Sequence, residues 1–178
     1  MTTLRNSCLL VFALCSQPVL ADVSAVLTAG ISEDASAIHV GVQLPLEPGW
    51  GFFRSPAIST VLEFSVGQWQ GRSPNRDNNR LIDVAALPAI RYHLDGDRQR
   101  GFFFDAGIGA HLLSRTRIHP DRRFGSAFQF GDLIGIGWLL GDGGRYETGL
   151  RFHHVSNGGI KEPNQGINFL EWRFVGRF

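Results

Sequence analysis

Hydrophobic and polar residues alternate along most of this chain, with the period of two that a β-strand imposes. From Gly101 to Leu113 one face carries Phe102, Phe104, Ala106, Ile108, Ala110 and Leu112. The other carries Phe103, Asp105, Gly107, Gly109, His111 and Leu113. The next segment sets Phe128, Phe130, Ile134, Ile136 and Trp138 against Ala127, Gln129, Gly131, Gly135 and Gly137. Eight strands are predicted in this way: Val23–Ile31, Ala35–Leu44, Ile58–Gln70, Leu81–Leu94, Gly101–Leu113, Ser126–Leu140, Arg145–Ser156 and Gly166–Phe178. Most reach the roughly 9–11 residues with which a tilted strand crosses a bilayer.

Two all-β architectures accommodate such a pattern. In a secreted sandwich or lipocalin-like barrel the bulky face turns inward, and the opposite face becomes a water-exposed coat. Here that opposite face is too rich in glycine and buried-type charges for an ordinary coat. An eight-stranded antiparallel transmembrane β-barrel explains both faces, with bulky residues meeting lipid and small or charged ones filling a narrow lumen. Connection lengths agree. Asp95–Arg100 and Gly141–Gly144 are short, whereas Gly71–Arg80, Ser114–Gly125 and Asn157–Gln165 are longer, polar, and on one side by strand count. Pro45–Ala57 is the exception, a long connection on the inner side. Tyr92, Trp138 and Tyr146 lie on outward faces near inner strand ends, as an interfacial girdle requires.

The first 21 residues stand apart from this pattern. Arg5 precedes an apolar run from Cys8 to Leu14, and the segment ends in Val19-Leu20-Ala21. This predicts a signal peptide over residues 1–21, cleaved before Asp22, and a barrel domain over 22–178. Leu14 is too bulky for a lipoprotein signal at Cys15. Both cysteines lie in this segment, so the mature chain has no disulfide. Loss of Arg5 takes the formal charge from +1 to 0, which leaves no basic footprint for a nucleic acid. No later apolar run reaches the roughly 18 residues of a membrane helix.

Candidate chemistry sits at the end of the seventh strand. Tyr146, Thr148, Leu150, Phe152, His154 and Ser156 share one face, and Glu147, Gly149, Arg151 and His153 the other. In the last strand Asn168, Leu170, Trp172 and Phe174 share the outward face. His154, Ser156 and Asn168 are therefore expected together on the barrel exterior near the outer rim. A site there meets membrane lipid and not a small polar solute. Serine becomes a nucleophile when a histidine accepts its proton, and the histidine needs a third group to hold its tautomer. The loop residues Asn157, Gly158, Gly159 and Asn164 offer amides for an oxyanion. The other reading of His-x-Ser is an ordinary polar strand end. His153 is expected inside the lumen, and His39, His93, His111 and His119 have no metal-ligand spacing, so no metal or cofactor is implied.

Three segments resemble the lipid A 3-O-deacylase (PagL) family of eight-stranded outer-membrane esterases: FFDAGIGAHLLSRTRI (103–118), GSAFQFGDLIGIG (125–137) and HVSNGGIKEPNQGIN (154–168). The resemblance implies an outer-membrane location. It also implies lipid A of lipopolysaccharide as substrate, and release of the 3-O-linked hydroxyacyl chain. The family's histidine and serine fall on His154 and Ser156. Its glutamate falls on Asn168, an amide that accepts a hydrogen bond but brings no charge. A replacement acid is offered by Asp132, which interrupts the apolar face Phe130, Ile134, where an unpaired carboxylate is costly. Pairing about the Gly141–Gly144 turn that preserves both outward faces sets Asp132 opposite His154. Alternatively Asp132 holds a rim loop or an arginine.

Arg72, Arg76, Arg80, Arg115, Arg117, Arg122, Arg123 and Lys161 crowd the outer loops, against Asp77, Asp121 and Glu162. Arginine grips phosphate bidentately, and lipid A carries phosphates. Any barrel in a lipopolysaccharide leaflet benefits from such loops, so they bear on location more than on catalysis. Two other readings stay open: a catalytically silent structural barrel, and another lipid-active barrel such as a phospholipase or acyltransferase. The oligomeric state has no signal in the sequence.

Overall fold

The structure, a computed structural model, describes residues 23–46, 55–72 and 79–178. The predicted signal peptide, much of the Pro45–Ala57 connection, and Arg76 and Asp77 lie outside the described residues. Among the described residues ten strands follow in chain order: β1 (Ser24–Ile31), β2 (Ala35–Leu46), β3 (Ile58–Gly71), β4 (Arg80–His93), β5 (Gly101–Leu113), β6 (Arg117–His119), β7 (Arg122–Arg123), β8 (Phe128–Leu140), β9 (Tyr146–Ser156) and β10 (Ile167–Arg177). Eight of them close into a barrel in the order β1-β10-β9-β8-β5-β4-β3-β2, with β1 paired antiparallel to both β2 and β10. The barrel strands begin and end within two residues of the sequence-based bounds.

Inside and outside follow the alternation. Ile108, Ile134, Phe152, Leu170 and Trp172 are exposed, while their neighbours Gly107, Leu133, His153, Phe169 and Glu171 turn inward. An exterior this apolar is a lipid-facing surface. Its aromatics pack against one another. Phe102 stacks on Trp138 with ring centroids 4.9 Å apart, and Trp172 Nε1 donates to Thr148 Oγ1 over 3.0 Å.

The lumen is filled in layers. At the outer end Trp69, Leu113, Val155, Ile167 and Phe169 form an apolar cap with Ile118 and Phe124. The last two come from the Ser114–Gly125 segment, expected as a polar loop. Instead β6 and β7 form a small hairpin that folds its two apolar residues over the barrel mouth. Beneath the cap, His39, His111 and His153, scattered in sequence, assemble with carboxylates. His39 Nε2 and His111 Nδ1 lie 3.0 and 2.8 Å from Asp83 Oδ2, and His153 Nδ1 lies 3.1 Å from Glu171 Oε1. His111 Nε2 and His153 Nε2 are 3.2 Å apart. Only glycine fits beside them: a Cβ on Gly131 would fall 2.4 and 2.7 Å from those two nitrogens.

Toward the inner end the lumen holds a charge network. Arg173 donates to Glu63 and Glu147, each at 3.0 Å, and to Gln43. Arg91 binds Asp105 through two bonds of 2.8 and 3.0 Å and reaches Glu147 at 2.9 Å. Arg151 reaches Glu63 at 3.1 Å. All six charged groups are buried, so each charge depends on its partners. A lumen so filled presents a packed core, and the barrel's chemistry must be sought on its exterior.

Candidate active site

On the outer face the ladders set four residues side by side across neighbouring strands. Ile108 pairs with Asp132, Asp132 with His154, and His154 with Asn168. Directly opposed residues have Cβ atoms about 4.5–5.5 Å apart, so His154 is flanked by Asp132 of β8 and Asn168 of β10. Asp132 and Asn168 are exposed, and His154 and Ser156 are half-buried. All four project from the lipid-facing side near the outer strand ends. Glu171, one turn of the alternation away, is inside with His153.

The imidazole makes its hydrogen bond to the amide. His154 Nδ1 and Asn168 Oδ1 are 2.6 Å apart. A carbonyl oxygen only accepts, so Nδ1 carries the hydrogen and the neutral ring keeps a lone pair on Nε2. That is the tautomer a general base needs. Asp132 makes no hydrogen bond to the ring. The ladder register alone sets it on the strand opposite His154.

Ser156 follows His154 by two residues on the same face, opposite Phe130. Among the described residues its hydroxyl makes no hydrogen bond to the ring, a common state of catalytic pairs before substrate arrives. Gly166, which the sequence reading did not single out, packs over both side chains. It is buried with φ of +61°, and a Cβ there would fall 3.0 Å from His154 Cε1 and 3.3 Å from Ser156 Cβ. Its signal was modest: a glycine just ahead of the strand that carries Asn168.

The loop after Ser156 is ordered from within by Asn157, which is fully buried. Asn157 N–H donates to Asn164 Oδ1 over 2.9 Å, and Asn157 Nδ2 to the Lys161 carbonyl over 2.6 Å. Gly159 N–H donates to Asn157 Oδ1 over 3.0 Å. The donors of Asn157 and Gly159 are thus used inside the loop. Of the four residues expected to offer amides, the Gly158 N–H and the Asn164 side-chain NH2 have no partner among the described residues. Of the basic rim residues, Arg122 is engaged by Asp34, an acid absent from the sequence-based tally. No group of three or more His, Cys, Asp or Glu side chains among the described residues is arranged to hold a metal ion.

A family model described as lipid A 3-O-deacylase (PagL) matches residues 36–175. A lipid A deacylase PagL of Bordetella bronchiseptica is 42% identical over 104 residues, 58% of this chain and 54% of that protein. The match thus spans about half the length of that relative. A lipid A deacylase PagL of Pseudomonas aeruginosa is 29% identical over 147 residues, 83% of this chain and 80% of that protein. The crystal structure of the outer membrane enzyme PagL has a TM-score of 0.70 at 22% identity, over 87% of this chain and 99% of that one. The likeness to that structure is one of fold.

Proposed function

The chain belongs to the lipid A 3-O-deacylase (PagL) family, and from that premise we propose that it is an outer-membrane esterase removing the 3-O-linked hydroxyacyl chain from lipid A. Residues 1–21 serve as its signal peptide. The observation that carries the reading is the 2.6 Å bond from His154 to Asn168 on a lipid-facing strand end, with Ser156 on the same face. A base held in the right tautomer, beside a serine, is placed where only an amphiphile anchored in the outer leaflet delivers an ester.

The chemistry follows in two balanced halves. His154 Nε2 takes the Ser156 hydroxyl proton as Oγ bonds to the ester carbonyl carbon, and the carbonyl oxygen becomes an oxyanion. The Gly158 N–H and the Asn164 side-chain amide are the donors for that oxyanion. Collapse breaks the bond to the sugar 3-oxygen, which leaves with the proton from the imidazolium. Water then repeats the sequence on the acyl-serine and frees the hydroxy fatty acid. The two tasks of the family's glutamate are divided here: Asn168 sets the tautomer, and Asp132 supplies negative charge next to the imidazolium.

Asn168 in the place of that glutamate favours one other reading, a silent barrel that kept the scaffold and lost the acid. Mass spectrometry of lipid A from cells expressing the full chain separates the two. Loss of one hydroxyacyl mass is the esterase outcome, and unchanged lipid A at full surface expression overturns it.

A further inference from the structure

Arg122 lies in the small β7 strand, where its backbone pairs with His119 of β6, and its side chain reaches away from the hairpin across the rim. Its Nε donates to Asp34 Oδ2 over 2.7 Å, and its Nη2 donates to the same oxygen. Its Nη1 donates to the Gly166 carbonyl over 2.8 Å and reaches the Gln165 carbonyl at 3.3 Å. One guanidinium thereby ties the β1–β2 turn to the last residues before β10. Its neighbours extend the contact. Arg123 N–H donates to Gln165 Oε1 over 2.7 Å, and Phe124 forms an isolated antiparallel bridge with Asn164. The peptide that Arg122 holds is the one whose Cα faces His154 Cε1 and Ser156 Cβ.

We infer that Asp34 and Arg122 are positioning residues for the deacylation, a clamp that holds the 157–166 loop at its far end against the Ser156–His154 pair. The inference rests on the esterase reading above. The fork geometry of arginine suits the task, since three nitrogens serve two elements at once. Asp34 neutralises the guanidinium and fixes its plane, and the loop carbonyl accepts from the remaining nitrogen. Without the clamp, Gln165 and Gly166 lose the guanidinium that ties them to the β1–β2 turn. The oxyanion donor and the packing over the imidazole then drift together.

Purified full-length barrel, refolded in detergent, gives the test. Asp34→Asn and Arg122→Ala are each expected to lower kcat by about 10- to 100-fold, the cost of a small misplacement near the reacting atoms, with KM little changed. Asp34→Glu, which keeps the carboxylate, is expected to recover most of the rate. Two substrates are used, bisphosphorylated lipid A and the same lipid with its phosphates removed, and the losses are expected to match on both. Hydrogen exchange read by mass spectrometry is expected to accelerate in residues 157–166 of both variants while the barrel strands stay protected. The clamp is overturned if Asp34→Asn keeps wild-type kcat and exchange. It is equally overturned if loss is confined to Arg122→Ala on the phosphorylated lipid, which makes Arg122 a phosphate ligand. Should the wild-type chain hydrolyse neither lipid, the esterase reading fails by itself. Exchange in 157–166 then decides the clamp, supporting it if faster in both variants and refuting it if unchanged.

Discussion

His154 and Asn168 face each other across the β9–β10 ladder, and the imidazole Nδ1–H donates to the amide Oδ1 over 2.6 Å. A carboxylate in this place performs two tasks at once. It holds the tautomer, and it stabilises the imidazolium that forms when serine loses its proton. An amide performs the first and not the second. The opposite neighbour of His154, Asp132, carries a charge but makes no hydrogen bond to the ring. On the proposed reading, the two residues together are to supply what one glutamate does in a triad.

If Ser156 and His154 act as one unit, Ser156→Ala and His154→Ala should each abolish ester hydrolysis. Each loss should be roughly 10^4- to 10^6-fold, and the double variant should be no worse than either alone. Both residues sit at a strand end outside the packed lumen, so all three proteins should still migrate as folded barrels on unboiled gels. Hydroxy fatty acid release from lipid A reads the rates. Full activity in Ser156→Ala would move the nucleophile elsewhere.

The barrel was legible because parity governs every strand. Bulky Phe102, Ile108 and Ile134 alternate with Phe103, Gly109 and Gly135, and eight repeats of that signal give strand number and facing without any contact being known. The same parity shows which side of the wall His154, Ser156 and Asn168 project from. What parity does not report is who meets whom across the lumen or over the rim. Asp83, His111, His153, Glu171 and His39 come from five different strands. Asp34 and Arg122 are 88 residues apart. Ile118 and Phe124 are single apolar residues in a polar stretch, too sparse to register as strands, and their burial depends on the open mouth they cover.

Gly166 offers a sharp comparison with Gly159. Both have positive φ, of +61° and +81°, so a Cβ strains either backbone by about 1–2 kcal/mol. Only at Gly166 does that Cβ meet the site, while at Gly159 nothing lies within 4 Å. Gly166→Ala should therefore lower kcat by about 10-fold or more, and Gly159→Ala by much less, with both barrels equally folded. Equal losses would assign the effect to loop strain and remove the Gly166 packing from the account.

Arg173 tests the lumen. Its removal leaves Glu63 and Glu147 short of a partner in a buried layer. Breaking a buried ion pair from one side costs about 3–5 kcal/mol, so Arg173→Ala should unfold at clearly lower urea concentration than wild type. Its residual folded fraction should keep its rate per molecule, because the layer lies at the inner end, away from Ser156. A fall in specific activity of the folded fraction would couple the lumen to the outer rim.

The division of the acid's work is decided by four variants on one lipid A substrate. Asn168→Ala removes the acceptor that holds the imidazole, so the ring samples both tautomers and orientations. A loss of about 10^2- to 10^4-fold is expected. Asp132→Asn leaves the hydrogen bond but deletes the charge next to the ring. An ion pair between opposed positions near a protein surface is worth a few kcal/mol at most. Discounted for the exposure of Asp132, that predicts a smaller loss, about 10- to 100-fold. Asn168→Glu should add little where Asp132 is present, since the charge is already supplied and a second carboxylate repels the first. In the Asp132→Asn background the same Asn168→Glu change should recover most of the rate, because it returns both tasks to one residue. This rescue separates charge from shape: a purely steric role for Asp132 predicts none. If neither Asp132→Asn nor Asn168→Ala slows the reaction, Ser156 and His154 work as a dyad without a third member, and no division of tasks between Asn168 and Asp132 exists.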